Sequence, residues 1–189
     1  MAPSNHGINP ALCQLACRPS VWQQSIGSRF LTALNAGQET FAGISYTVVC
    51  TRLDEIVTPN LDDNDLSALH IGAGQISNVA IQDICVTNTA DHLTVGTSDA
   101  VGYALALDAI DHPGPADPAR IDRSVCIELL QPGVDPVTYP VNAAVGTTSL
   151  AAVHAWMRMS RPRSQRHMPY IFGGDRPRRE RRDLRSTVR

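Results

Sequence analysis

Two stretches of the chain are almost continuously apolar and rich in β-branched residues: Ile44-Ser-Tyr-Thr-Val-Val-Cys-Thr51 and Asn78-Val-Ala-Ile-Gln-Asp-Ile-Cys85. Short runs of this kind, lacking strict alternation, predict buried strands, and the first carries the pattern of a parallel strand covered on both faces. The intervening segment, Asp54 to Leu69, is polar and predicts a loop. From Ser98 to Ile110 the apolar residues fall at Val101, Ala104, Leu105, Leu107 and Ile110, the spacing of an amphipathic helix opened by a Thr/Ser/Asp cap. A shorter helix is expected over Ser28–Asn35, with a glycine stop at Ala36-Gly37. Strand, loop, strand, loop, helix is an α/β rhythm.

The flanks differ in character. Met1 to Ser20 is rich in Pro, Asn and Cys without a sustained period, and predicts loop. A Pro-rich connection over residues 112–118 leads to a short helical stretch near Cys126, and beyond the turn at 131–136 a helix is expected over Val141–Met159. Residues 160–189 are mostly Arg, Pro, Ser and Asp, a composition that predicts disorder. The chain thus divides into an α/β unit over 1–159 and an Arg-rich tail over 160–189.

With 189 residues, 43% of them hydrophobic and 18% charged, the sequence suits one globular unit with a real core and excludes collagen-like or wholly disordered chains. No apolar run approaches the roughly 18 residues a membrane span requires. The opening MAPSNHGINP lacks the basic region, apolar stretch and cleavage site of a secretory signal, so no export address is expected and the chain reads as starting in mid-domain.

The formal net charge of −2 conceals an asymmetry: residues 1–150 hold 15 acids and 5 Arg (−10), whereas residues 151–189 hold 3 acids and 11 Arg (+8). The basic run over residues 176–185 invites contact with phosphates. Interspersed acids and the near absence of aromatic stacking partners favour a solvated tail instead, and no nucleic-acid partner is expected.

Five cysteines, at 13, 17, 50, 85 and 126, leave two readings open. Cys13 and Cys17 can clip a short loop, and a Cys85–Cys126 pair would close a loop of about 40 residues, worth roughly 3–4 kcal/mol in the chain-entropy model and suited to an oxidising compartment. The alternative is a set of buried free thiols. No Cys/His spacing is finger-like, the remaining histidines show no ligand-like spacing, and Asp62-Asp63-Asn64-Asp65 lacks the glycine and distal glutamate of an EF-hand loop, so no metal is expected.

The chemistry most worth weighing sits at the strand ends. Asp54 follows the first strand and His92 follows the second. In open parallel sheets, ligands bind outside the carboxyl ends of the strands, so an acid and a histidine there can meet across one crevice, as orienter and general base. On spacing alone, a turn-initiating Asp and a helix-capping His explain the same letters.

Ser20-Val-Trp-Gln-Gln24, Gly27-Ser28, Thr51-Arg-Leu-Asp-Glu-Ile-Val57 with Pro59, and Ala90-Asp91-His92 together resemble the C-terminal part of the lipase-B-type α/β-hydrolases and their bacterial relatives. The likeness runs from Ala2-Pro3 to about residue 160. It implies an α/β-hydrolase fold with Asp54 as the acid and His92 as the base of a Ser-Asp-His triad. It further implies Gln24, Ile56 and Val57 at the ester pocket, a Cys85–Cys126 disulfide, carboxylic esters such as triacylglycerols as substrates, a lipid surface as a further contact, no cofactor, and a secreted protein.

One departure matters. The family places its serine in a Gly-x-Ser-x-Gly elbow upstream of this region, so the N-terminal strands and the nucleophile are expected to be absent here. Gly96-Thr-Ser98-Asp-Ala100 differs from the elbow by one alanine, but a helix N-cap at Thr97 or Ser98 explains it. The expectation is a lipase by family that is inactive alone. The alternative is a non-catalytic remnant or adaptor that binds a partner through its apolar edge or its Arg-rich tail.

Overall fold

The computed structural model describes residues 1–9, 11, 19–61, 65–146 and 148. The elements are α1 (Pro19–Gln23), α2 (Arg29–Leu34), β1 (Ser45–Cys50), β2 (Gln75–Ala80), α3 (Ile81–Ile84) and α4 (Ala100–Asp111), with 3-10 turns at Thr94–Gly96, Pro118–Arg120 and Arg123–Ile127. Residues 139–146 are helical as well. Cys13, Cys17, Asp62 to Asn64, the tail and the predicted helix beyond Thr148 lie outside the described residues.

β1 and β2 pair in parallel, with register running from Ser45 opposite Gln75 to Cys50 opposite Ala80. The expected parallel strand at 44–51 is thus present. The second strand differs from its prediction at both ends: it begins at Gln75, and Ile81–Ile84 turns into α3. Pairing with β1 stops at Cys50, and Ile81 and Ile84, three apart, then bury together at 0% and 3% exposure. That is helical spacing, which a short apolar run does not distinguish from strand by periodicity.

Residues Met1 to Ser20 are not loop throughout. Ile8 bridges to Ser25, and Ser20 belongs to α1. Ser28 caps α2, its hydroxyl accepting from Leu31 N at 3.1 Å, and the helix ends at Asn35 ahead of Gly37. α4 starts at Ala100, and its cap is neither Thr97 nor Ser98. The Asp99 carboxylate accepts from Gly102 N at 2.7 Å and has that role.

The core lies between the sheet and α4. Val49, Val79, Ile81, Ile84, Val95, Val101, Leu105 and Val125 form one buried cluster, and burial of side chains of this size contributes about 1.5–3 kcal/mol each. Gly102 lets α4 approach the 94–96 turn closely: a Cβ there would stand 2.3 Å from the carbonyl oxygen of Val95. A disulfide joins Cys85 to Cys126 across 41 residues, Cα to Cα 5.3 Å, and ties the end of α3 to the 123–127 turn. Cys50 is a buried free thiol whose pKa burial pushes up to about 11. Among the described residues no helix is long and apolar enough to cross a membrane.

Candidate active site

The chain leaves β1 at Cys50 and turns at once, with Asp54 N donating to Thr51 O at 3.3 Å. This turn drives the Asp54 side chain inward, to 0% exposure. Oδ1 accepts from two successive backbone donors, Ile56 N at 2.9 Å and Val57 N at 2.6 Å, which fix the carboxylate's orientation.

His92 meets it from the loop after α3. Its Nδ1 stands 3.1 Å from Oδ1 and 3.0 Å from Oδ2 of Asp54. The His92 side chain keeps 23% of its surface exposed. The hydrogen bond from Asp54 raises the His92 pKa above the usual imidazole value. Desolvation opposes it, and the charges of Asp54, Glu55 and Asp91 reinforce it. With Nδ1 turned to the carboxylate, the neutral ring carries its proton there and leaves Nε2 as the basic nitrogen. Among the described residues, none hydrogen-bonds Nε2.

The backbone around His92 is held as firmly as its ring. His92 N donates to Glu55 Oε2 at 3.1 Å, so two consecutive residues of the acid loop, Asp54 and Glu55, hold the ring and backbone of the base. Asp91 Oδ1 accepts from Leu93 N, Thr94 N and Thr94 Oγ1 at 3.1, 2.8 and 2.6 Å, while Asp91 N donates to Thr94 Oγ1 at 2.8 Å. This reciprocal exchange closes the turn in the manner of a capping box. Desolvation raises the Asp91 pKa, but the hydrogen bonds from Thr94 and Leu93 outweigh it and hold the carboxyl below its usual value. The roles of Glu55 and Asp91 were missed in the sequence, although both stand beside a residue of interest.

The remaining expected site residues are placed as follows. Gln24 is exposed at the end of α1, its side chain accepting from Ser4 Oγ at 3.4 Å. Ile56 is half-buried, and Val57 has no exposure and packs with Ile8, Val21, Ile56 and Leu66. Ser98 is buried and its hydroxyl lies 2.9 Å from Tyr139 Oη, with no hydrogen bond to His92. A cavity of about 530 Å³ borders the base loop at Asn88, Ala90, Asp91 and Thr94 and is lined by Ser98 and Tyr139 as well, but Asp54 and His92 do not line it. Among the described residues no group of three or more His, Cys, Asp or Glu is placed to hold a metal ion.

No family model matches the chain. Among curated proteins it is similar to Lipase B of Pseudozyma antarctica, 32% identical over 146 residues, a match taking in 72% of this chain and 40% of that protein. Among solved structures it is similar to the crystal structure of Aspergillus fumigatus lipase B, with a TM-score of 0.63, 32% identity, and coverage of 71% of this chain and 34% of that one. The chain therefore spans 40% of the length of the curated relative it matches.

Proposed function

We propose, from the premise that this chain is a lipase-B-like α/β-hydrolase region, that Asp54 and His92 are the acid and base of carboxylic ester hydrolysis through a serine. The observation that carries the reading is the 3.0 Å approach of His92 Nδ1 to a fully buried Asp54 carboxylate, with Nε2 left basic. Nε2 takes the proton from the serine hydroxyl as its oxygen bonds the ester carbonyl carbon. That proton passes to the departing alcohol oxygen as the C–O bond breaks, and a water repeats the sequence on the acyl-serine. Asp54 holds the ring and offsets the imidazolium charge. The serine oxygen supplies the electron pair, so the reading needs no cofactor.

Gln24 and Ile56 are the polar and apolar contacts to the ester in this reading. Val57 acts through its backbone N–H and behind Ile56. The sequence contains no Gly-x-Ser-x-Gly elbow, so the serine comes from outside the described residues and this chain turns over esters weakly or not at all by itself. The Cys85–Cys126 disulfide fits an oxidising, extracellular setting. Lipid esters are the substrate class and a lipid surface a further contact.

The test is a chimera in which the upstream part of Pseudozyma antarctica Lipase B precedes this chain. Hydrolysis of p-nitrophenyl esters is expected from the chimera and not from the chain alone. In the chimera Asp54→Asn is expected to lower turnover by about 10⁴ and His92→Ala by about 10⁶. A folded chimera whose turnover ignores both substitutions refutes the reading and favours a binding role.

A further inference from the structure

Between the loops that carry Asp54 and His92 lies a small polar hub. Thr51, the first residue past β1, has 0% exposure. Its hydroxyl donates to the Ala90 carbonyl at 2.6 Å, and accepts from Gln82 Nε2 at 2.9 Å and from Leu53 N at 3.2 Å. One donor and two lone pairs are thereby all used. Gln82, on the first turn of α3, also donates from Nε2 to Asn88 O at 3.2 Å and accepts from Arg52 N at 3.0 Å through Oε1. Its amide therefore spans both loops: Nε2 is shared between Thr51 and Asn88, and Oε1 holds Arg52 N.

The placement of these bonds matters more than their number. Thr51 stands three residues before the acid and Ala90 two before the base, so the 2.6 Å bond joins the loops just behind the pair. Asn88 extends the tie. It accepts from Ala90 N at 2.8 Å and donates to Asp99 Oδ2 at 2.6 Å, which anchors the base loop on the cap of α4. Hydrogen bonds between polar groups inside a protein resist small displacements, because a broken partner is left desolvated. Catalytic geometry is sensitive to displacements of about 1 Å.

We propose that Thr51 and Gln82 are positioning residues for the acid–base pair, clamping the acid loop to the base loop through the Thr51–Ala90 and Gln82–Asn88 bonds. Neither side chain hydrogen-bonds Asp54 or His92, and both act through the backbone. The proposal rests on the reading of Asp54 and His92 given above, and it predicts that the separation of those two residues depends on a hydroxyl and an amide outside the pair.

The test is an NMR titration of the His92 ring in the full chain, comparing Thr51→Val, Thr51→Ser and Gln82→Met. The carboxylates facing His92 are Asp54, Glu55 and Asp91, and none is altered in these variants, so a change in midpoint reports geometry. Thr51→Val and Gln82→Met are expected to move the His92 midpoint down toward the ordinary imidazole value and to weaken the downfield Nδ1 proton signal. Thr51→Ser, which keeps the hydroxyl, is expected to retain both. An unchanged His92 titration in folded Thr51→Val and Gln82→Met overturns the proposal, as does a Thr51→Ser variant that behaves like Thr51→Val. If Thr51→Val fails to fold, Gln82→Met alone decides, since its half-buried side chain changes little in volume. The readout is independent of turnover, so a chimera indifferent to His92→Ala would remove the catalytic reading while leaving the clamp measurable.

Discussion

Val57, an apolar residue with no exposed surface, holds the Asp54 carboxylate through its backbone: its N–H lies 2.6 Å from Oδ1. The side chain packs with Ile8 and so pins the amide that pins the acid. A position that reads as a substrate contact in the sequence thus has a structural duty in the fold.

Removing the Asp54 charge shows what it does to its partner. In Asp54→Asn the His92 pKa is expected to fall, since the hydrogen bond that raises it is weakened. A histidine whose folded pKa exceeds its unfolded one contributes stability that is fully present below the unfolded value, about 6.5, and is lost as pH rises through the folded value. The deficit of Asp54→Asn should therefore be larger near pH 6 than near pH 9, both rough choices either side of that window. Urea unfolding at the two pH values measures it.

Asp108 gives the opposite sign. Hydrogen bonds from Arg120 at 2.7 and 2.6 Å hold its pKa at about 2, against a desolvation that raises it and with further help from Asp117 N and His112. A depressed carboxylate contributes stability above its unfolded value that is lost as pH falls through the folded one. Arg120→Ala should shift the acid-unfolding midpoint to higher pH, with its stability deficit present at neutral pH and shrinking as the carboxylate titrates in both proteins. Circular dichroism along an acid titration reads both effects.

Reduction of the disulfide has a calculable scale. Cys85→Ser with Cys126→Ser opens a loop of 41 residues, and the chain-entropy model assigns this about 3–4 kcal/mol. A loss well under 1 kcal/mol in denaturant unfolding would mean that the oxidised and reduced chains differ little in unfolded freedom.

Gly102→Ala tests the close approach of α4 to the turn after His92. Its new Cβ meets the Val95 carbonyl at 2.3 Å, so the helix or the turn must shift. A cost of roughly 1–3 kcal/mol is expected, despite alanine's better helix propensity. Thermal unfolding decides the sign, and a stabilised variant would show that the helix relaxes freely.

How much of this was readable beforehand follows the physics of each signal. β1 announces itself as a short, near-continuous β-branched run that ends in buried Val48, Val49 and Cys50, and α4 through the spacing of Val101 and Leu105, although Leu107 and Ile110, read as part of the same apolar face, are exposed. The split of residues 78–85 into strand and helix was hidden, since Ile81 and Ile84 serve either element and only the end of pairing with β1 decides. The Asp99 cap was blurred among Thr97, Ser98 and Asp99, three adjacent residues with equal capping chemistry. The Asp54–His92 pair was legible from the end of β1 and family likeness together, although His92 stands beyond α3, twelve residues past the end of β2. Thr51 and Gln82 were not, because a hydrogen bond between residues 31 apart leaves no periodic trace.

The register of the two strands, Cys50 opposite Ala80, acts as a ruler for everything beyond their tips. A single inserted or deleted residue inside either strand would advance one loop past the other by about 3.3 Å and reverse the side on which it emerges. No rotamer of an imidazole recovers such an offset. Length changes in β1 or β2 should therefore be far more damaging to the pair than most substitutions in the loops themselves, and a chain that tolerated one would have to rebuild its pairing from the other end.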